Sequence, residues 1–166
     1  GNEPLFRVPA FQLVHSAELI AYAFLGIAGG LLSVVFARGL LGLRAFFHQL
    51  PDRTRAVQPA MGGVLIGLFL IFVAEVRGVG YEYVDQALNG GMILKTLLLL
   101  TVFKMLATTI SYASGNAGGI FAPSLFIGAM AGGAVGMAVH RIAPLTTGDP
   151  AAYALVGMGT LFAGVG

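Results

Sequence analysis

The sequence predicts an all-α, polytopic membrane protein with tilted and interrupted helices, and three features of its 166 residues carry that prediction. Hydrophobic residues make up 57% of the chain and charged ones only 10%, against about a quarter charged in a typical soluble domain. Charge-free stretches run from Leu19 to Ala37, Ala56 to Ala74 and Met105 to Val139. Each is near or above the roughly 20 apolar residues that carry a helix across about 30 Å of hydrocarbon. Glycine-rich breaks interrupt the apolar pattern, as in transporters whose helices are broken at membrane depth. A soluble core is a poor account, because so short a chain would bury one or two all-apolar helices and need amphipathic ones around them.

Gly1 to His15 holds Pro4, Pro9 and mixed polarity, which suits a loop leading to a helix over 16–48. Ser16 is its expected N-cap, with Glu18 favourable near the positive helix end. That helix is longer than a perpendicular crossing, so tilt or extension beyond the bilayer is expected. Arg38, Arg44, Arg53 and Arg55 then gather around the break at Pro51-Asp52, and positive charge beside an apolar segment favours the cytoplasmic side. Helices over 58–74 and 81–88 follow, separated by the Glu75 to Gly78 turn; the second is too short to span. A helix over 92–112 carries Lys104 inside an apolar run, where a charge must face protein or water. Lys104 is a candidate pathway charge, and equally a lysine that snorkels or pairs with carbonyl groups. After Ser114 to Gly119 a helix over 120–140 is expected, then one over 150–163 opened by Asp149 as N-cap and Pro150 at its first position. Small residues recur four apart at Gly26 and Gly30, Gly63 and Gly67, and Gly128, Gly132 and Gly136, a spacing that lets helix backbones approach closely. The chain reads as a single membrane unit over 1–166.

Several classes fall away. Without cysteine there are no disulfides and no thiolate-held metals or clusters. His15, His48 and His140 are widely spaced and read as interfacial or loop residues, so no metal and no cofactor is expected. A net charge of +2 gives no nucleic-acid footprint. No nucleophile and base, nor paired carboxylates, can be placed within the apolar segments, so an enzyme is not expected. Gly1 to Phe11 is not an apolar run behind a basic start, so a cleaved signal peptide is not expected either.

The chemistry concentrates at Gly119 to Pro123. Proline has no N–H, so Pro123 fits best in a first helical turn, and a helix should start near Gly119 to Phe121. First-turn amides have no intrahelical acceptor, which leaves the N–H groups of Ile120, Phe121 and Ala122 available to an outside partner. The peptide dipoles add about half a positive charge there, so a small anion suits the place. Gly118 and Gly119 are expected to let the chain turn and approach closely. On these grounds alone a kinked helix packed on its neighbour remains an alternative.

The run Ser114-Gly115-Asn116-Ala117-Gly118-Gly119-Ile120-Phe121-Ala122-Pro123-Ser124-Leu125 closely resembles the signature of the CLC family of chloride channels and proton/chloride antiporters. Gly119, Phe121 and Pro123 fill the fixed positions of its Gly-x-Phe-x-Pro motif. The likeness extends to the Pro59-Ala60-Met61-Gly62-Gly63 helix start, the break at Gly80-Tyr81, and Lys104 before Thr108-Thr109. It implies a CLC-type inverted-repeat fold, of which this chain supplies most of the second half, and a homodimer with a separate chloride pathway in each subunit. It further implies chloride as transported ion, possible coupling to protons, residence in the lipid bilayer of a bacterial-type plasma membrane, and Ile120 and Phe121 as backbone chloride ligands. Gly119, Ala122 and Pro123 would shape the helix start. The family's gating glutamate, pore serine, proton-relay glutamate and pore tyrosine have no counterpart here, and Ser114 precedes a different motif from the pore serine's. The chain is therefore expected to be a fragment without transport of its own. A secondary transporter for another solute, built on the same broken-helix physics, is the rival reading.

Overall fold

A computed structural model describes residues 16, 18–116, 118–144 and 147–165. Among the described residues six α-helices follow one another, α1 (Glu18–Gln49), α2 (Gln58–Phe72), α3 (Tyr81–Leu88), α4 (Leu94–Ala113), α5 (Phe121–Ile142) and α6 (Pro150–Val165), with short 3-10 turns at Asp52–Thr54 and Ala74–Val76. Among the described residues there is no strand. Helices α1, α4 and α5 are long and apolar enough to cross a membrane. Helices α2 and α6, with 15 and 16 residues, reach only about 22–24 Å at 1.5 Å per residue.

The helix expected over 58–74 ends at Phe72, and a 3-10 turn takes up Ala74 to Val76. The helix expected from 92 begins at Leu94. Ser16 lies in the turn before α1, where its carbonyl accepts the Leu19 N–H at 3.2 Å. His15 lies outside the described residues. His48 is exposed, whereas His140 pairs through Nδ1 with the Thr147 hydroxyl at 3.1 Å.

Helix α6 folds back along α5, and here the glycines expected to permit close packing do so. A Cβ on Gly128 would stand 2.5 Å from the Gly157 carbonyl oxygen, and one on Gly136 would stand 2.7 Å from both the Pro150 carbonyl oxygen and Tyr153 Cβ. Backbone thus meets backbone, and dispersion contacts between closely packed atoms hold the pair. Gly26, Gly30, Gly63 and Gly67 share the spacing, yet a Cβ on any of them would have nothing within 4 Å. The spacing reports which glycines share a face; only tertiary contact reports whether that face is used.

Helices α1, α3 and α4 pack on this hairpin, and α2 packs on α4. Leu97 and Leu100 of α4, Val84 and Leu88 of α3, and Phe126 and Met130 of α5 form the main buried cluster. Helix α1 reaches α6 through Gly29, which abuts Thr160. Its outer face leaves Ile20, Phe24, Ile27 and Leu31 exposed, as α2 does with Val64, Leu68, Ile71 and Phe72. Apolar faces this continuous suit hydrocarbon or further protein, not water.

Candidate functional site

Helix α4 ends in a Schellman turn that aims the chain at the motif. Gly115 takes φ +85°, a left-handed conformation that strains any residue with a Cβ. The Asn116 N–H then reaches the Ser111 carbonyl at 3.2 Å and the Gly115 N–H the Tyr112 carbonyl at 3.3 Å. Ser114 is buried against Gly62 at the start of α2, where no side chain larger than hydrogen fits, and its hydroxyl accepts from Asn116 Nδ2 at 3.2 Å. The loop is thus fixed at α4 and at α2 before it enters α5.

The demand for glycine falls on Gly115, one turn earlier than expected. Gly118 and Gly119 do not have positive φ, and open space surrounds the Cβ position of each. They do not bring this chain's backbone against itself; they leave room in front of the helix.

Helix α5 begins at Phe121, with Ile120 as N-cap at φ −91°, ψ −11° and no side-chain cap. Pro123 falls at the third helical position, so its missing N–H costs the helix nothing. Among the described residues no acceptor meets the N–H groups of Ile120, Phe121 and Ala122. Behind them the helix is well anchored: Ser124 is buried and returns its hydroxyl to the Ile120 carbonyl at 2.7 Å. Phe121 is 55% exposed and sets its ring edge-on to Phe162 of α6 at 5.1 Å. The structure therefore brings Gly119, Ile120, Phe121, Ala122 and Pro123 together as an open, uncapped helix start.

Two cavities border the loop that feeds it. One of about 200 Å³ runs between α2, α4 and the motif, lined by Arg77, Lys104, Thr108, Asn116 and Gly119. The other, about 370 Å³, is lined by Arg44, His48, Tyr112, Asn116 and Gly118. Asn116 and Gly118 separate the second cavity from the first, and each cavity carries basic side chains. Arg44 donates to the Tyr112 hydroxyl at 2.8 Å and lies 5.2 Å from the centre of its ring.

Lys104 is 3% exposed and donates to the carbonyl oxygens of Val76, at 2.9 Å, and Gly78. Its ammonium group lies 4.9 Å from the Phe126 ring centre. The expected pairing with carbonyl groups is present, and the same side chain lines the cavity. These partners are neutral, unlike that of Arg55, which pairs with the Asp52 carboxylate at 2.9 Å. Lys104 thus keeps its positive field beside the cavity it lines.

The family described as voltage gated chloride channel matches residues 1–166. The chain belongs to that family. It is 37% identical to a ClcB-like protein of Ralstonia nicotianae, covering 98% of this chain and 38% of that protein. It is 35% identical to chloride channel protein CLC-e of Arabidopsis thaliana, covering 99% and 26%, and 32% identical to the H(+)/Cl(-) exchange transporter ClcA of Vibrio campbellii, covering 98% and 36%. A crystal structure of a slow cyanobacterial Cl-/H+ antiporter superposes with a TM-score of 0.87 at 31% identity, over 98% of this chain and 38% of that one. The chain thus has the CLC fold and spans between a quarter and two fifths of the length of these relatives.

Two polar ties in this CLC chain have no counterpart among the features legible in its sequence. Gln58 Nε2 donates to the Phe47 carbonyl at 3.0 Å, closing the α1 to α2 connection, and Glu18 Oε1 accepts the Gly148 N–H at 2.9 Å. From sequence Glu18 is only a favourable charge at a helix start; its place in a mainly apolar segment is the signal that points further.

Proposed function

We propose that this chain forms one wall of a chloride pathway in a larger membrane transporter, with the backbone N–H groups of Ile120 and Phe121 as anion ligands. The observation that carries the reading is the uncapped α5 start, which opens beyond Gly118 and Gly119 at the end of a loop bordered by two basic-lined cavities. A full cationic ligand would hold chloride tightly. About half a charge from the helix dipole plus neutral amides replaces part of the hydration shell and still lets the ion leave. Lys104 acts here mainly through its field, because two of its three donors are held by the carbonyls of Val76 and Gly78. The relatives named as H(+)/Cl(-) exchangers support chloride as the substrate and proton coupling in the whole protein. In this reading the protein is a homodimer in a bacterial-type plasma membrane, and the groups that gate and couple lie outside this chain.

Deleting a backbone donor tests the ligand assignment without altering a side chain. A proline at 121 would confound the test, since Ile120 sits near the α region that a following proline disfavours. The cleaner variant replaces Phe121 of the full-length protein by its α-hydroxy acid, turning the amide into an ester. Loss of a hydrogen bond to a charged partner, about 1.5–3 kcal/mol, should weaken chloride binding about 10- to 100-fold. Titration calorimetry in detergent measures it, and native affinity in a folded ester variant overturns the assignment. Chloride flux from liposomes separates the reading from its rival: uptake of another solute without chloride movement favours the rival.

A further inference from the structure

Far from the anion site, at the opposite end of the α5–α6 hairpin, a carboxylate is buried where the fold has no local need of one. Glu18 opens α1 and is 1% exposed. A helix start favours a carboxylate, but that preference is met equally well at a solvated surface, whereas burial carries a desolvation cost that partners must offset. One carboxylate oxygen, Oε1, accepts the Gly148 N–H at 2.9 Å and the Tyr22 hydroxyl at 3.3 Å. Gly148 belongs to the connection between α5 and α6, and a Cβ there would stand 2.8 Å from the same oxygen, so glycine is what lets the two come together. Tyr22 stacks on Tyr153, at 4.7 Å between ring centres, in the first turn of α6. Carboxylate and ring together attach the head of the hairpin to the head of α1.

The contacts along the hairpin are close enough to carry a displacement of that head. Gly128, Gly132 and Gly136 seat α5 directly on the α6 backbone, leaving no side-chain layer to absorb a shift. Helix α6 then spans about 24 Å to its other end, where Phe162 packs edge-on against Phe121. Phe121 carries one of the two proposed ligand amides.

We propose that Glu18 is a positioning residue for the anion site: by holding Gly148 it fixes the α5–α6 hairpin lengthwise against α1, and so sets where the amides of Ile120 and Phe121 stand. This rests on the proposed role of those amides. The action is mechanical, because the Coulombic interaction falls with distance and is weak across a helix length. An acceptor oxygen is required at position 18, and a negative charge is not.

The test uses the full-length protein and two readouts: chloride affinity by calorimetry, and the rise in melting temperature that saturating chloride produces. Glu18→Leu removes the acceptor and should weaken chloride binding about tenfold, shrinking the chloride-induced rise accordingly. Glu18→Gln keeps an oxygen for the Gly148 N–H and should restore affinity to within about twofold of the native protein. Phe162→Leu, at the far end of the same linkage, should weaken chloride binding without touching the carboxylate and serves if Glu18→Leu does not fold. A purely structural role would lower the melting temperature with and without chloride alike and leave affinity unchanged, which overturns the proposal. A Gln variant as weak as the Leu variant overturns it too, because charge would then be the operative property. The Phe121 ester separates the two levels: if it binds chloride normally, the ligand reading has failed, and if it binds weakly while Glu18→Leu binds normally, only the positioning role has failed.

Discussion

Helices α5 and α6 both start with a proline in their first turn, yet one start is closed and the other open. At α6 the Asp149 carboxylate accepts the Ala151 N–H at 2.9 Å, its backbone carbonyl accepts the Ala152 N–H at 2.9 Å, and Pro150 removes a further donor. At α5 the N-cap is Ile120, which has no acceptor side chain, and among the described residues nothing stands within 4 Å of a Cβ placed on Gly118 or Gly119 before it. Ile120 and Ala122 are half-buried and Phe121 is exposed, so their N–H groups are open to an acceptor from outside this chain. A complete cap stands about thirty residues later, while this start has none among the described residues, and that contrast is what the proposed anion site leads one to expect.

The two starts share one scaffold, and the largest effect should come from breaking it. Gly132 lies against the Tyr153 carbonyl, with Gly157 Cα 2.9 Å from its Cβ position. In Gly132→Val the obstacle is backbone, which cannot yield as a side chain does. Loss of monodisperse full-length protein on size exclusion is expected, and a well-folded Val variant would show the hairpin to be looser than its contacts indicate. Next in size is conversion of the open start into a closed one. Ile120→Asp places a carboxylate at the N-cap, where it can accept the Ala122 N–H and repel an anion. A like charge at about 4 Å costs several kcal/mol at an intermediate dielectric, so chloride affinity should fall at least about a hundredfold while the fold gains a cap. Retained chloride binding in a calorimetric titration would mean that the open start is not where the anion sits.

The sequence carried the architecture further than it carried the site's surroundings. Proline placement and charge-free stretches located α5 and α6 to within two residues at each end, because these signals act within a single turn of helix. The motif residues Gly119 to Pro123 were legible for the same reason. Contacts between distant residues were not. Glu18 and Gly148 are 130 residues apart, and Lys104 meets carbonyl groups 26 and 28 residues away. A carbonyl acceptor has no side-chain signature, so nothing in the sequence could choose between the pathway and pairing alternatives for Lys104. The glycines show the same limit: Gly115, not Gly118 or Gly119, holds the left-handed turn, because the conformation depends on where α4 stops.

The smallest effect is the one that makes the comparison sharpest. Asp149→Ala opens the closed start, and loss of an N-cap costs about 1 kcal/mol. The stability measured by denaturation should fall by that amount, while chloride affinity stays within about twofold, since losing one cap bond leaves Glu18 on Gly148 and Tyr153 stacked on Tyr22. An ester at residue 151 removes the donor that Asp149 satisfies and should behave alike, whereas the ester at 121 should cost affinity with little loss of stability. The two starts would then answer the same chemical change in different quantities, stability at α6 and binding at α5. Should Asp149→Ala weaken chloride binding as much as Glu18→Leu, the cap would belong to the lengthwise anchor, and the closed start could no longer count as purely structural.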